Sequence, residues 1–287
     1  MNSLSDKLLH EIHEKSIQMA LYVTKICEEN GLLIYLCGGG CIGAVRNGGF
    51  IPWDDDLDMF MPREDYQKLI AIWDSVADTE KYSLQVTTDR VFTRNQFATV
   101  CDNNTTFIKS YQKDLDINHG LQLDILPLDG CPKGFARKTQ KIYALLYSLF
   151  IIGKAPGNHG AAVRFLGGAM LTVLFSKKLR TKIWQFCEKR MTRFPISKCE
   201  RITELCAGPH YMQNEYPKAA FEKAVKVPFD GVMLPVPAGY DAYLSMAFGD
   251  YMTPPPPEKQ VCHHDAEYID MHNSYLKYKG IYYCQKG

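Results

Sequence analysis

The sequence predicts an α+β fold: a mixed β-sheet core with helices, followed by a helical, basic insert. Three observations carry that reading. Up to Pro132, helical apolar spacings alternate with short apolar runs bounded by glycine, proline or asparagine. From Lys133 to about Arg193 the pattern is long and helical. From 199 onward it is short-ranged and broken by turn signals. The expected divisions are a core over 1–132, an insert over 133–198 and a carboxy-terminal part over 199–287 that completes whatever site the core carries.

The elements follow in order. Residues 4–29 space Leu8, Ile12, Ala20, Val23 and Cys27 along one helix face, after a Ser3/Ser5 cap and before an Asn30-Gly31 stop. LLIYLC (32–37) reads as a buried strand. GGGCIGAVRNGG (38–49) is a glycine-rich turn that opens a short helix around Ile42 to Asn47, and LDMFM (57–61) is the next strand. Pro62 starts a helix whose inner face is Tyr66, Leu69, Ile70, Trp73 and Val76. YSLQVTT (82–88), QFATVCD (96–102), TTFIK (105–109) and GLQLDILPLDG (120–130) are strand-like. Alternation in the last sets Leu121, Leu123 and Ile125 against Gln122 and Asp124. The proline run at 253–259 excludes a helix or a central strand there.

Composition narrows the class. The opening MNSLSDKLLHEIHEKS reads as a capped helix start rather than a signal segment, and no apolar run reaches the roughly 20 residues that span a bilayer. Ten cysteines without a C-x-x-C pair suit a reducing compartment. Cys262-His263-His264 lacks a second pair at finger-like spacing, so its zinc signal is weak. The net charge of +1 conceals a segregation: residues 133–193 carry +12, and the rest of the chain −11.

The chemistry starts at FIPWDDDLDMF (50–60), where Asp54, Asp55, Asp56 and Asp58 sit between apolar flanks too hydrophobic for a free acidic loop. On a strand, residues two apart share a face, so Asp56 and Asp58 line up, Asp54 joins them if the strand reaches back, and Asp55 points away. Two carboxylates at that spacing can hold a hard divalent cation, Mg²⁺ or Mn²⁺, as one ion or two. Asp124, isolated in an apolar strand, is expected to meet the same ion. A calcium loop of the EF-hand type fails because its sixth position is Met59 and its twelfth Asp65. Upstream, Gly38, Gly39 and Gly40 allow backbone N–H groups to approach a phosphate ahead of a helix N-terminus. Arg46 is a candidate phosphate clamp.

Strand, glycine turn, short helix and acid-apolar-acid strand together resemble the nucleotidyltransferase fold. The text GGGCIGAVRNGGFIPWDDDLDMFMPREDY (38–66) is similar to the signature block of the LicD family, to which the fukutin group is related. LQLDILPLDG (121–130) and FGDYMTPPPP…HHD (248–265) are similar to its later blocks. The resemblance implies a phosphate-binding turn at Gly38 and Gly39, metal ligation by Asp56, Asp58 and Asp124, and Asp54 as an additional partner. It also brings Asp250, His263 and His264 toward the donor or acceptor. The chain departs from the family at Gly40, where Thr or Ser is common, and at Phe248, where Tyr is usual.

The implied activity is metal-dependent transfer of phosphocholine, or a similar substituted phosphoryl group, from a CDP-linked donor to a hydroxyl of a surface glycan or glycolipid precursor, with release of CMP. Either Asp124 or Asp54 would take the hydroxyl proton. The apolar runs and cationic flanks of 141–193 suit contact with an anionic membrane, which implies a cytoplasmic protein peripheral to the inner face of the cell membrane. The bland reading of the same stretch is a buried helical subdomain with a solvated basic rim. No nucleic-acid module accompanies the charge. Two rivals remain: a D-x-D glycosyltransferase, disfavoured because only 53 residues precede Asp54, and a non-catalytic nucleotide-binding subunit recruited to membranes.

Overall fold

The computed structural model describes residues 5–153, 168–169, 171, 176–262 and 265–285. Helix α1 (Asp6–Glu29) starts where the Ser5 side chain accepts from the Leu8 N–H at 3.3 Å. It buries Ile12, Met19, Ala20, Val23 and Cys27 against the sheet. The order then runs β1 (Tyr35–Leu36), α2 (Gly38–Arg46), β2 (Asp58–Pro62), α3 (Arg63–Val76), β3 (Tyr82–Gln85), β4 (Ala98–Asp102), β5 (Thr106–Lys109) and β6 (Leu121–Cys131). After α4 (Gly134–Ile152) and α5 (Lys177–Met191) come β7 (Arg201–Glu204), β8 (Tyr216–Pro217), β9 (Ala224–Phe229), β10 (Val232–Pro237), α6 (Tyr240–Phe248) and β11 (Ala266–Asp270).

One mixed seven-stranded sheet organises the chain, with β1-β2-β6-β4-β3 in order and β7 and β8 branching from β6. The eleven-residue β6 is its spine. It runs parallel to β2 and antiparallel to β4, and its far end pairs with β7. A buried two-pronged ion pair fixes the register from the side. Arg63, the first residue of α3, donates Nε to Asp129 Oδ1 at 2.8 Å and a terminal nitrogen to Oδ2 at 2.7 Å.

The glycine turn differs from the sequence expectation. Helix α2 begins at Gly38, so the three glycines form its first turn rather than a loop ahead of it. Gly38 stands at φ +51°, a conformation that favours glycine. The tail is also more ordered than its turn signals imply. β9 and β10 form an antiparallel hairpin, and β11 pairs with β5, which brings the carboxy-terminal block onto the core.

Helices α4 and α5 pack on each other around Ala144, Tyr147, Phe150, Trp184 and Met191. Buried Arg137 ties α4 to the rest, donating to Gln140, Thr203 and the Met212 carbonyl. Most of the apolar run at 161–175 lies outside the described residues. Among the described residues no helix is long and apolar enough to cross a membrane, and no two of the ten cysteines form a disulfide.

Candidate active site

Parallel pairing of β2 with β6 sets Asp58 directly beside Asp124. On the other side of β6, Thr99 of β4 is the partner of Asp124, and its hydroxyl donates to Asp124 Oδ1 at 2.6 Å. Asp124 Oδ2 lies 3.4 Å from Nζ of Lys109, which ends β5. Asp55, Asp56, Asp58, Asp124, Lys109, Tyr111 and Asp265 line one cleft. The three acids expected to work together therefore share a cleft, with a lysine that sequence reasoning missed. Its only signal was a basic residue closing an apolar strand.

Asp55 is a correction. Strand β2 begins only at Asp58, and residues 54–57 have no regular structure, so alternation does not govern them. Asp55 lines the cleft instead of pointing away. Oxygens of Asp54, Asp55 and Asp56 all lie within 4.8 Å of one another, a second carboxylate group that shares Asp56 with the Asp58–Asp124 side. Helix α1 steadies this loop: His13 Nε2 is 2.6 Å from the Asp54 carbonyl oxygen, and its ring stacks on Phe50 at 3.7 Å.

Asp54 itself turns toward α2. A Cβ built on Gly39 would meet Asp54 Oδ2 at 2.0 Å, so the absence of a side chain at Gly39 is what lets the carboxylate reach the helix N-terminus. Gly38 and Gly39 line a second cleft, which shares Asp58 with the first. The Gly38 N–H donates to the Tyr243 hydroxyl at 3.0 Å, so a phosphate at this turn would have to displace that contact. Gly40 is buried under Leu57.

Crowding of carboxylates shows in their proton affinities. Burial, with Asp56 and Asp55 nearby, pushes the Asp54 carboxyl up to about 7. Asp56 rises to about 6, chiefly through desolvation, with Lys109 opposing and Asp55 and Asp124 reinforcing. Asp58 is driven well up by burial and by Asp56 and Asp124. Burial works against the charge of Lys109, but Asp124, Tyr111, Asp56 and Asp58 override it and hold the ammonium protonated.

The outlying candidates are placed as follows. Arg46 donates to the Tyr251 carbonyl at 2.9 Å and to Asn47 Oδ1 at 3.0 Å, which ties α2 to the tail; it lines neither cleft. Asp250 is exposed and accepts from the Thr253 N–H at 3.3 Å in a turn. His263 and His264 lie outside the described residues, while their neighbour Asp265 reaches the acidic cleft because β11 pairs with β5.

Residues 31–128 match the family model for the LicD/FKTN/FKRP nucleotidyltransferase domain, a span that contains the glycine turn and all the cleft acids except Asp265. The chain carries a LicD-family domain. It is 28% identical over 255 residues to the lipopolysaccharide cholinephosphotransferase LicD of Haemophilus influenzae, covering 86% of this chain and 92% of that protein. A 48-residue stretch is 42% identical to the ribitol 5-phosphate transferase FKRP of mouse and of human, covering 17% of this chain and 10% of theirs. Within the matched span, Asp58 opens β2, Asp124 lies beside it in β6, Asp54, Asp55 and Asp56 lie in the loop leading into β2, and the three glycines open α2.

Proposed function

We propose that this protein is a phosphotransferase of the LicD type, moving phosphocholine from a CDP-linked donor to a hydroxyl of a surface glycan or its lipid-linked precursor. The observation that carries the reading is the alignment of Asp58 with Asp124 on adjacent parallel strands, in a cleft that also receives Asp56. The relative from Haemophilus influenzae, named as a lipopolysaccharide cholinephosphotransferase, supports both the head group and the class of acceptor.

The donor set is wholly carboxylate, which fits a hard cation such as Mg²⁺ or Mn²⁺. Asp56, Asp58 and Asp124 would hold it, and the Asp54–Asp56 group, sharing Asp56, offers oxygens for a second. An ion held there would supply charge neutralisation for the donor pyrophosphate and the departing CMP. The rest falls to the chain. The acceptor oxygen attacks the phosphorus that carries choline, a new P–O bond forms, and the bond from that phosphorus to the bridging oxygen breaks to release CMP. The hydroxyl proton passes to a carboxylate. The two candidates for that task are Asp124, which lines the cleft and is oriented by Thr99 and Lys109, and Asp54, which is turned onto Gly39. Lys109 and the N-terminus of α2 add fixed positive potential.

The exposed apolar residues Phe135, Ile142, Leu145, Leu179 and Phe186 on α4 and α5, set among lysines and arginines, support contact with an anionic membrane that carries the acceptor. Replacement of Asp56 or Asp58 by Ala should abolish head-group transfer while the circular dichroism spectrum stays native. Near-normal turnover of either purified variant would overturn the assignment.

A further inference from the structure

The second cleft contains more than the glycine turn. Beyond Gly38, Gly39 and Asp58 it is lined by five aromatic rings, Phe60, Phe97, Tyr211, Tyr243 and Phe248, and by one acid, Glu204. We infer that this cleft is the head-group cage of the donor, built for a quaternary ammonium cation: the aromatic rings surround the cation and Glu204 supplies the countercharge. The inference rests on the phosphotransferase reading and deepens it by naming residues that select the head group.

Four observations argue for a cation. First, aromatic faces attract ammonium ions through their quadrupoles, and desolvated examples are worth about 2 kcal/mol or more. The rings are already arranged around one another: Tyr211 and Phe248 have centroids 5.8 Å apart, Tyr243 and Phe248 6.3 Å, and Phe60 and Tyr243 5.6 Å. Second, Glu204 is 4% exposed and forms no ion pair among the described residues; its carboxylate accepts from the Tyr216 hydroxyl, with Asn214 nearby. A buried acid without a cation is costly unless something neutralises it. Third, Gln96, which lines the same cleft, has a buried Oε1 with no hydrogen-bond partner. Fourth, the cleft opens onto Gly38, Gly39 and Asp58, so a cation held here sits beside the place where the adjoining phosphate must lie.

A polyol head group or a cytosine base would use the cleft differently. A polyol needs several donors and acceptors, and a base needs a flat slot with an edge to read. The test is a binding titration of the full chain that does not depend on turnover. Calorimetry measures phosphocholine, ribitol 5-phosphate and CMP, each with Mg²⁺, on the wild type and on Glu204→Gln and Phe248→Leu; thermal melts confirm that the variants fold. The expected result is phosphocholine binding at least about tenfold tighter than ribitol 5-phosphate. Each variant should weaken phosphocholine about tenfold and leave the other two ligands unchanged. No phosphocholine binding to the wild type, equal affinity for the two head groups, or loss of CMP affinity with phosphocholine unaffected would overturn the inference. Failure of the transfer reading shows elsewhere, as absent CMP release by a wild type that still binds phosphocholine.

Discussion

Lys109 Nζ lies 3.4 Å from Asp124 Oδ2, and both side chains are largely withdrawn from solvent. This pair supplies the positive charge that the acidic stretch demands when no ion is bound. Lys109→Met should therefore destabilise the metal-free protein by about 3 kcal/mol, the lower end of the cost of breaking a buried pair, because a fifth of the lysine remains exposed. Thermal melts in EDTA and in Mg²⁺ check this. Mg²⁺ should restore most of the loss, and a variant that melts like the wild type in EDTA contradicts it.

Two glycines of α2 are expected to separate function from fold. In Gly39→Ala the new methyl meets the mobile end of Asp54, so the carboxylate is displaced at little cost to stability. Activity should drop tenfold or more in a CMP-release assay while the melting temperature barely moves. In Gly43→Ala the methyl meets the Gly49 carbonyl oxygen at 2.4 Å, which is backbone. That variant should lose about 2 kcal/mol of stability by denaturant titration.

Glu204 makes stability depend on pH with a definite sign. Burial, opposed by the Tyr216 and Asn214 hydrogen bonds, raises its carboxyl from 4.5 to about 7. The folded chain then binds the proton more tightly than the unfolded chain does. Its contribution is present in full below about pH 4.5 and is lost as pH rises to about 7. The difference is about 3 kcal/mol at one proton and 1.36 kcal/mol per unit. Urea titrations at several pH values should show Glu204→Gln with a flatter profile than the wild type between these limits; identical slopes contradict the assignment.

The outer faces of α4 and α5 carry Phe135, 80% exposed, and Phe186, 53% exposed, among basic residues. Flotation with anionic vesicles at low salt should recover the full chain. Phe135→Ser with Phe186→Ser should reduce recovery severalfold, and raised salt should weaken it further. Equal recovery with neutral vesicles would contradict an electrostatic, interfacial contact.

Much of this architecture was legible in the residues. Helical spacing marked α1 and α3, and the apolar run around Asp124 marked β6, because these elements bury one continuous face. The meeting of Asp58 with Asp124 was also foreseeable, since Asp124 is flanked by Leu123 and Ile125 in an apolar run and Asp58 closes an acidic stretch that needs partners. Other features depend on tertiary placement. Strand parity misled for Asp55 because β2 starts later than the apolar flank suggests. Asp265 reaches the cleft through the β5–β11 pairing, a contact between segments more than 150 residues apart that no local pattern encodes, and Lys109 reaches it because β5 folds back on the segment that leads into β6. The hairpin of β9 and β10 was hidden by its prolines at 228, 235 and 237.

The most direct test of the central claim is CMP release from CDP-choline by the purified chain, with a lipopolysaccharide acceptor, in Mg²⁺ and in EDTA, alongside Asp58→Asn. The expected result is acceptor-dependent CMP release in Mg²⁺ that falls at least a hundredfold in EDTA and in the variant. Release that is unchanged by EDTA, or undiminished in Asp58→Asn, would contradict it.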